Sequence, residues 1–180
     1  HVLVKAALEE RAHDREGRAI DVLDKDAPGE LVHALVGQLG LLDARDDVEI
    51  ISIPHKSRKD PIARSEKLNA ADLAILCLPD EAAREAVAMI NNPNLKIIDA
   101  SSAHRIDPDW TYGFPELSGK QTEKIKTSKR VTNPGCYALA SISIIHPLVL
   151  ANILPANYPL TINAISGYSG GGRSMITSFE

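Results

Sequence analysis

Cys136 stands where a turn becomes a helix: Asn133-Pro134-Gly135 precedes it and an apolar stretch with helical spacing follows from 137. Backbone N–H groups and the helix dipole at such a start favour the thiolate, which makes Cys136 a candidate nucleophile. Position alone does not separate this from a small core thiol packed at a helix start. Pro134 and Gly135 fix a tight turn, and the Asn133 amide can orient a carbonyl oxygen or stabilise an oxyanion, which tips the reading toward chemistry. Cys77 differs, since it lies within the apolar run 72–78 and reads as a buried, inert thiol.

A second group surrounds Gly167-Tyr168-Ser169-Gly170-Gly171-Gly172-Arg173, a glycine-rich turn after an expected strand. Its backbone N–H groups beside a guanidinium suit a phosphate or carboxylate, against the plainer alternative of a flexible linker. The same residues match G-x-S-x-G, the nucleophile elbow of α/β-hydrolases, with Ser169 as nucleophile. In that fold a histidine follows the serine, and none of the residues after Ser169 in this sequence is one. Lys56, Arg58 and Lys59 cluster after a strand where a doubly wound fold recognises the adenosine ribose, so they favour a 2′-phosphate, and NADP over NAD, unless they are only a solvated surface run. Asp99-Ala100-Ser101-Ser102 ends another strand at the carboxyl edge, where such folds bind ligands. His55, His104 and His146 are isolated and no Cys/His spacing suggests a metal.

The elements that must position these residues alternate. Residues 48–53 read as a strand closed by Pro54, and Asp60-Pro61 as an N-cap and first helical residue, with Ile62, Ala63 and Leu68 on one side. The run 72–78 suits a strand buried on both faces of a parallel sheet. Asp80 can cap the next helix, where Ala82, Ala83, Ala86, Val87 and Ile90 recur, until Asn91-Asn92-Pro93-Asn94 breaks it. With a strand at 95–99 this gives β-α-β-α-β, half of a doubly wound nucleotide-binding sheet. Residues 103–119 read as an ordered loop, Ser118 and Gln121 as a capping box for a short helix through 129, and 130–132 as the lead into Asn133. The helix from 137 is expected to stop at His146, before Pro147, and 160–165 to form a last strand. Residues 1–40 fit less well. A strand at 20–23 is followed by Asp24-Lys25-Asp26-Ala27-Pro28-Gly29, whose carboxylates repel phosphate, and Gly37 and Gly40 supply only G-x-x-G.

Composition narrows the function classes. The chain has 180 residues, 44% hydrophobic and 24% charged, which favours a globular fold over disorder. A net charge of -4 supplies no positive field for a nucleic-acid backbone, and one Trp, four Tyr and two Phe are too few for a base-stacking platform. Apolar runs are too short to cross a bilayer, and two cysteines with an acidic N-terminus suggest a reducing cytoplasm. His1 and Glu180 both look like cut ends.

From about residue 44 to 180 the chain closely resembles the N-acetyl-gamma-glutamyl-phosphate reductases of arginine biosynthesis, in their shorter bacterial-type branch. The resemblance is carried by Ser52-Ile53-Pro54 with the basic cluster, Ala74-Ile75-Leu76-Cys77-Leu78-Pro79-Asp80, Asp99-Ala100-Ser101-Ser102-Ala103-His104-Arg105, Tyr112-Gly113-Phe114-Pro115-Glu116-Leu117, Asn133-Pro134-Gly135-Cys136-Tyr137 and Ser166-Gly167-Tyr168-Ser169-Gly170-Gly171-Gly172-Arg173. It implies an α/β fold: a doubly wound parallel-sheet NADP-binding domain over 44–132, the beginning of an α+β catalytic domain over 133–180, and an atypical segment over 1–43 without the family's glycine loop. It further implies that Cys136 attacks an acyl phosphate to form a thioester, which NADPH reduces to the semialdehyde. Asn133, Gly135, Glu116, Ser169, Gly170 and Arg173 are then expected around the substrate or oxyanion, and Ser52, Lys56, Arg58, Lys59, Leu78, Pro79, Ser101 and Ser102 around NADP(H). The family's acid/base histidine is expected beyond Glu180. The expected partners are a small acyl phosphate and further copies of the chain, with neither nucleic acid nor membrane. An aspartate-semialdehyde dehydrogenase-like enzyme, a serine hydrolase and an inactive nucleotide-binding fragment are the competing readings.

Overall fold

The computed structural model describes residues 19–21, 49–53, 55–57, 59–165, 167–168 and 172–179. Apolar runs become parallel strands. β1 (Ala19–Asp21) pairs with β2 (Ile50–Ser52), and β3 (Leu73–Leu76), β4 (Lys96–Asp99), β5 (Thr111–Tyr112) and β6 (Arg130–Thr132) form a four-stranded sheet in the order β3-β4-β6-β5. All described pairings are parallel, with Leu76 opposite Asp99 and Asp99 opposite Thr132. Because β1 also contacts β3, the chain runs outward to β2 and returns on the other side of β1, the reversal at which doubly wound sheets bind ligands. The α/β, doubly wound expectation therefore holds. The first strand, expected over 20–23, is described at 19–21, and residues 22–40 lie outside the described residues.

β3 and β4 alternate half-buried and buried positions, so each strand turns one face fully inward instead of both. Their inward residues Ala74, Leu76 and Ile97 join Ile53, Leu68, Ala71, Ala86, Leu95 and Trp110 in one core. Helix α1 (Pro61–Ala70) begins as expected: the Asp60 carboxylate accepts the Ile62 N–H at 3.0 Å, and Pro61 fills the first helical position. Leu68 is its core residue, whereas Ile62 is 70% exposed and not on the buried side. Helix α2 (Asp80–Ala88) buries Ala83 and Ala86, but Asp80 is inside it and Pro79 precedes it with no side-chain cap. The Asp80 carboxylate faces Ser102 instead. Both helices end on one clamp. Asn69 accepts the N–H groups of Asn91 and Asn92 at 2.6 and 2.8 Å and donates to the Met89 carbonyl at 2.9 Å, which satisfies backbone that the Asn91–Asn94 break leaves without helical partners.

Residues 103–119 form turns, β5 and a single 3₁₀ turn, Pro115–Leu117. Helix α3 (Gln121–Thr127) is shorter than expected and lacks the capping box. The Ser118 carbonyl accepts the Gln121 N–H, and the Gln121 side chain reaches away to the Tyr112 carbonyl. Helix α4 (Cys136–Leu150) starts one residue early and passes through Pro147. Pro147 removes one N–H near the helix end but leaves its carbonyl free to accept Ala151 N–H at 3.0 Å, so the last turn survives. The stop comes from Asn152 at φ 57, the left-handed position that often closes a helix. Residues 160–165 are exposed and form no strand, because no described segment pairs with them. Helix α5 (Gly172–Phe179) takes Gly172 and Arg173, expected in a loop, into its first turn. Tyr168 stacks on Phe179 with ring centroids 5.4 Å apart.

Candidate active site

Cys136 is exposed and is the first residue of α4, directly after the turn that leaves β6. Asn133 and Gly135 of that turn, and Thr132 before it, are tied down. The Asn133 N–H donates to the Asp99 carbonyl at 2.7 Å, which continues the β4–β6 ladder past its last pair. On the other side of β6 the Gly113 N–H donates to the Thr132 carbonyl at 2.8 Å, and a β-carbon on Gly113 would lie 2.6 Å from that oxygen, so only glycine permits the approach. Gly135 precedes the helix, and its carbonyl accepts the Leu139 N–H at 2.8 Å to close the first turn.

Over Gly135 lies Arg105, which the sequence reading placed in a motif but gave no role. Its Nε donates to the Asn133 carbonyl at 3.2 Å and Nη2 to the Ala100 carbonyl at 3.1 Å, while Nη1 is 2.9 Å from where a Gly135 β-carbon would stand. One half-buried guanidinium thus straps the turn before Cys136 to the loop that leaves β4. No local spacing signals it, because Arg105 and Asn133 are 28 positions apart. The β4 loop is itself wound round the fully buried Asp99 carboxylate, which accepts Ser101 N–H at 2.9 Å, Ser101 Oγ at 2.8 Å and His104 Nδ1 at 2.6 Å. His104 is buried and stacks on Trp110, with centroids 4.3 Å apart, and the Arg130 guanidinium lies 5.8 Å from the Trp110 ring.

Two loops carry the expected cofactor residues at the carboxyl edge. Leu78 is half-buried and Pro79 exposed after β3, and Ser102 is exposed after β4. Ser102 donates its N–H and its hydroxyl to Asp80 at 3.0 and 2.7 Å, which holds the Asp80 carboxyl below its usual 3.8. Ser101, also expected there, is buried and its hydroxyl donates to Asp99. Cys77 is half-buried just past β3, and burial, then the Asp99 charge, pushes its thiol above the usual 9.0. At the far side of the sheet Lys56 lies exposed in a 3₁₀ turn, His55–Ser57, immediately after β2, with Lys59 exposed beyond it. Exposed lysines near β2, and the Ser102 loop and Cys136 turn near β4 and β6, thus stand along the carboxyl edge at which doubly wound sheets bind nicotinamide dinucleotides. Arg58, Ser169 and Gly170 lie outside the described residues, as do the side chains of Ser52 and Arg173.

Glu116 is exposed on the 3₁₀ turn and, with buried Phe114, faces helix α4 across a cavity of ≈ 570 Å³ lined also by Leu139, Ile142, Ser143 and His146. The Gly113-Phe114-Pro115-Glu116 loop thus stands against the helix that begins with Cys136. Among the described residues no cluster of His, Cys, Asp or Glu can hold a metal ion, and no helix is long and apolar enough to cross a membrane.

Comparison with known proteins adds two family matches: the NAD-binding domain of semialdehyde dehydrogenases over residues 19–125, and the semialdehyde dehydrogenase dimerisation domain over residues 136–180. Two curated relatives over 157 residues are N-acetyl-gamma-glutamyl-phosphate reductase 2 of Pseudomonas putida, 52% identical, and a Burkholderia lata protein named N-acetyl-gamma-glutamyl-phosphate reductase, 50% identical. Each of these alignments covers 87% of this chain and 48% of the relative. A Chelativorans protein of the same name is 56% identical over 139 residues, 77% of this chain and 45% of its own. The chain spans about half the length of the curated relatives it matches.

Proposed function

Because the chain belongs to the semialdehyde dehydrogenase family, we propose that the protein carrying it reduces N-acetylglutamyl 5-phosphate to N-acetylglutamate 5-semialdehyde with NADPH, through a thioester on Cys136. The observation that carries this reading is the placement of an exposed thiol as the first residue of a helix, on a turn held by Asp99 and Arg105, in a chain whose relatives bear the reductase name. Residues 44–132 then form the dinucleotide-binding domain, 133–180 the start of the catalytic domain, and 1–43 a segment without a glycine loop. Further copies of the chain are its expected partners, since the second match is to a dimerisation domain, and a reducing cytoplasm suits the free thiol.

The Cys136 thiolate attacks the acyl carbonyl carbon, the carbon–oxygen bond to phosphate breaks, and phosphate leaves with the electron pair, giving a thioester. Asn133, exposed in the same turn, would orient the carbonyl oxygen, and the backbone N–H groups that open α4 would stabilise the charge that develops there. Lys56 and Lys59, with Arg58 between them in sequence, would hold the 2′-phosphate, and the Ser102 and Pro79 loops would flank the cofactor at the sheet edge. When bound, NADPH supplies the hydride that reduces the thioester. The Asp99 and Arg105 contacts keep the turn in place, so the sulfur meets the carbonyl in one orientation.

The full-length protein assayed in reverse, with N-acetylglutamate 5-semialdehyde, NADP and phosphate, tests this. Phosphate-dependent NADPH formation is expected, and Cys136→Ser, folded as the native protein is, lowers it by at least about 10³-fold. Aspartate semialdehyde as the preferred substrate assigns the protein to the sister activity. Retained activity in Cys136→Ala together with ester hydrolysis lost in Ser169→Ala sinks the reductase reading in favour of a hydrolase.

A further inference from the structure

The buried carboxylate at the end of β4 does more than complete a turn. Asp99 accepts three hydrogen bonds from residues 101–104, and its own carbonyl accepts the Asn133 N–H, so one residue anchors both the β4 loop and the turn before Cys136. His104, the last of the three donors, is adjacent in sequence to Arg105, whose guanidinium spans from Ala100 to Asn133 and lies over Gly135. Stacking on Trp110 holds the plane of the His104 ring, and the hydrogen bond to Asp99 sets its Nδ1 edge toward the carboxyl group. Burying a carboxyl group is unfavourable without hydrogen-bond partners, and His104 supplies one of the three that the buried Asp99 side chain has, the other two coming from Ser101.

We propose that Asp99 and His104 are positioning residues for Cys136, acting through Arg105: their contact fixes the backbone from which Arg105 reaches, and Arg105 holds the Asn133-Pro134-Gly135 turn so that the thiol projects correctly from the start of α4. The proposal concerns how the thiol is presented and builds on the assignment of Cys136 as the nucleophile. Neither Asp99 nor His104 touches substrate.

The test separates the hydrogen bond from the packing. His104→Phe keeps a ring against Trp110 and removes the donor, whereas His104→Asn removes the ring and keeps a nitrogen near the position of Nδ1. In the full-length protein, the rate of Cys136 alkylation by iodoacetamide is measured by peptide mass, alongside kcat and KM in the reductase assay. His104→Phe is expected to slow alkylation and lower kcat by about tenfold with KM for NADP unchanged, because a misplaced nucleophile loses orientation and not cofactor binding. His104→Asn restores most of both, and Asp99→Asn behaves like His104→Phe. If His104→Phe fails to fold, Arg105→Lys, which cannot span both carbonyls, is read in the same way. Native alkylation rates and native kcat in folded His104→Phe and Asp99→Asn overturn the proposal, as does a loss confined to KM. Should the native protein show no reductase turnover, the functional assignment fails by itself, and the alkylation rates still decide the positioning role.

Discussion

Cys77 and Cys136 each follow a parallel strand at one edge of the same sheet, with β4 lying between those strands, yet the two junctions treat their thiols in opposite ways. After β3 the chain runs through half-buried Cys77 and Leu78 to Pro79 and into α2, with Leu76 and Ala74 in the core immediately behind. Burial and the Asp99 charge push that thiol up and out of the thiolate form. After β6 the chain turns through Asn133, Pro134 and Gly135, and places Cys136 in solvent at the first position of α4. The residue type is the same and the element sequence is the same. What differs is whether the residue falls just before the helix, over the core, or on its first turn. A thiol becomes available for chemistry by a shift of a few residues in where the helix begins.

The largest expected contrast is in reactivity. At pH 8 iodoacetamide should label Cys136 at least about ten times faster than Cys77, since Cys136 is exposed while burial hides the Cys77 thiol and raises its pKa. Labelled peptides followed by mass measure it directly, and equal rates would remove the distinction on which the nucleophile assignment depends. Unfolding in urea should bring the two rates together, because only the fold distinguishes them.

The difference in exposure between the two thiols is legible in the sequence because its causes are local. Asn133-Pro134-Gly135-Cys136 specifies a turn and a helix start within four residues, just as Asp60-Pro61 specifies the cap of α1. Cys77 sits in an apolar run, which signals burial without any knowledge of neighbours. The sequence was misleading wherever a distant partner decided the outcome. Asp80 looks like a cap because capping is local, but Ser102, 22 positions away, takes its carboxylate. Ser118 and Gln121 have the spacing of a capping box, but the Gln121 amide is drawn to Tyr112 on β5. Residues 160–165 have strand composition and no strand among the described residues beside them. Arg105 was hidden for the same reason, since its partners are carbonyls on two separate loops and carbonyls leave no trace in residue type.

A smaller effect sharpens the account of the Cys136 junction. Gly135→Ala places a methyl group 2.9 Å from Arg105 Nη1, and because that atom ends a flexible side chain the guanidinium should move, not the backbone. The strap to Asn133 is then loosened with the turn intact. The expected result in the full-length protein is a loss in kcat of several-fold, up to about tenfold, with melting nearly unchanged. Gly119→Ala is the control: nothing lies within 4 Å of its added carbon, so stability should stay within about 0.5 kcal/mol and activity should be native. A Gly135→Ala protein with native kcat would show that the guanidinium rests over the turn without holding it.

The smallest effect concerns the bond that links the Cys77 junction to the β4 loop. Ser102 donates twice to Asp80, and these bonds, the side-chain one foremost, lower the Asp80 pKa from its usual 3.8. A carboxyl whose pKa is depressed by folding adds stability that is present above its unfolded value and disappears as pH falls through the folded one. Ser102→Ala should therefore unfold at a slightly lower urea concentration than the native protein at pH 7, by a margin that solvent screening keeps small, and the two midpoints should converge as pH drops below about 3.8. A carboxyl-carbon NMR titration of Asp80 provides the sharper reading, with its midpoint moving up toward 3.8 in Ser102→Ala. Identical titrations in both proteins would mean that the two loops lie side by side without this bond joining them, and that the Cys136 junction is braced from β4 and β6 alone.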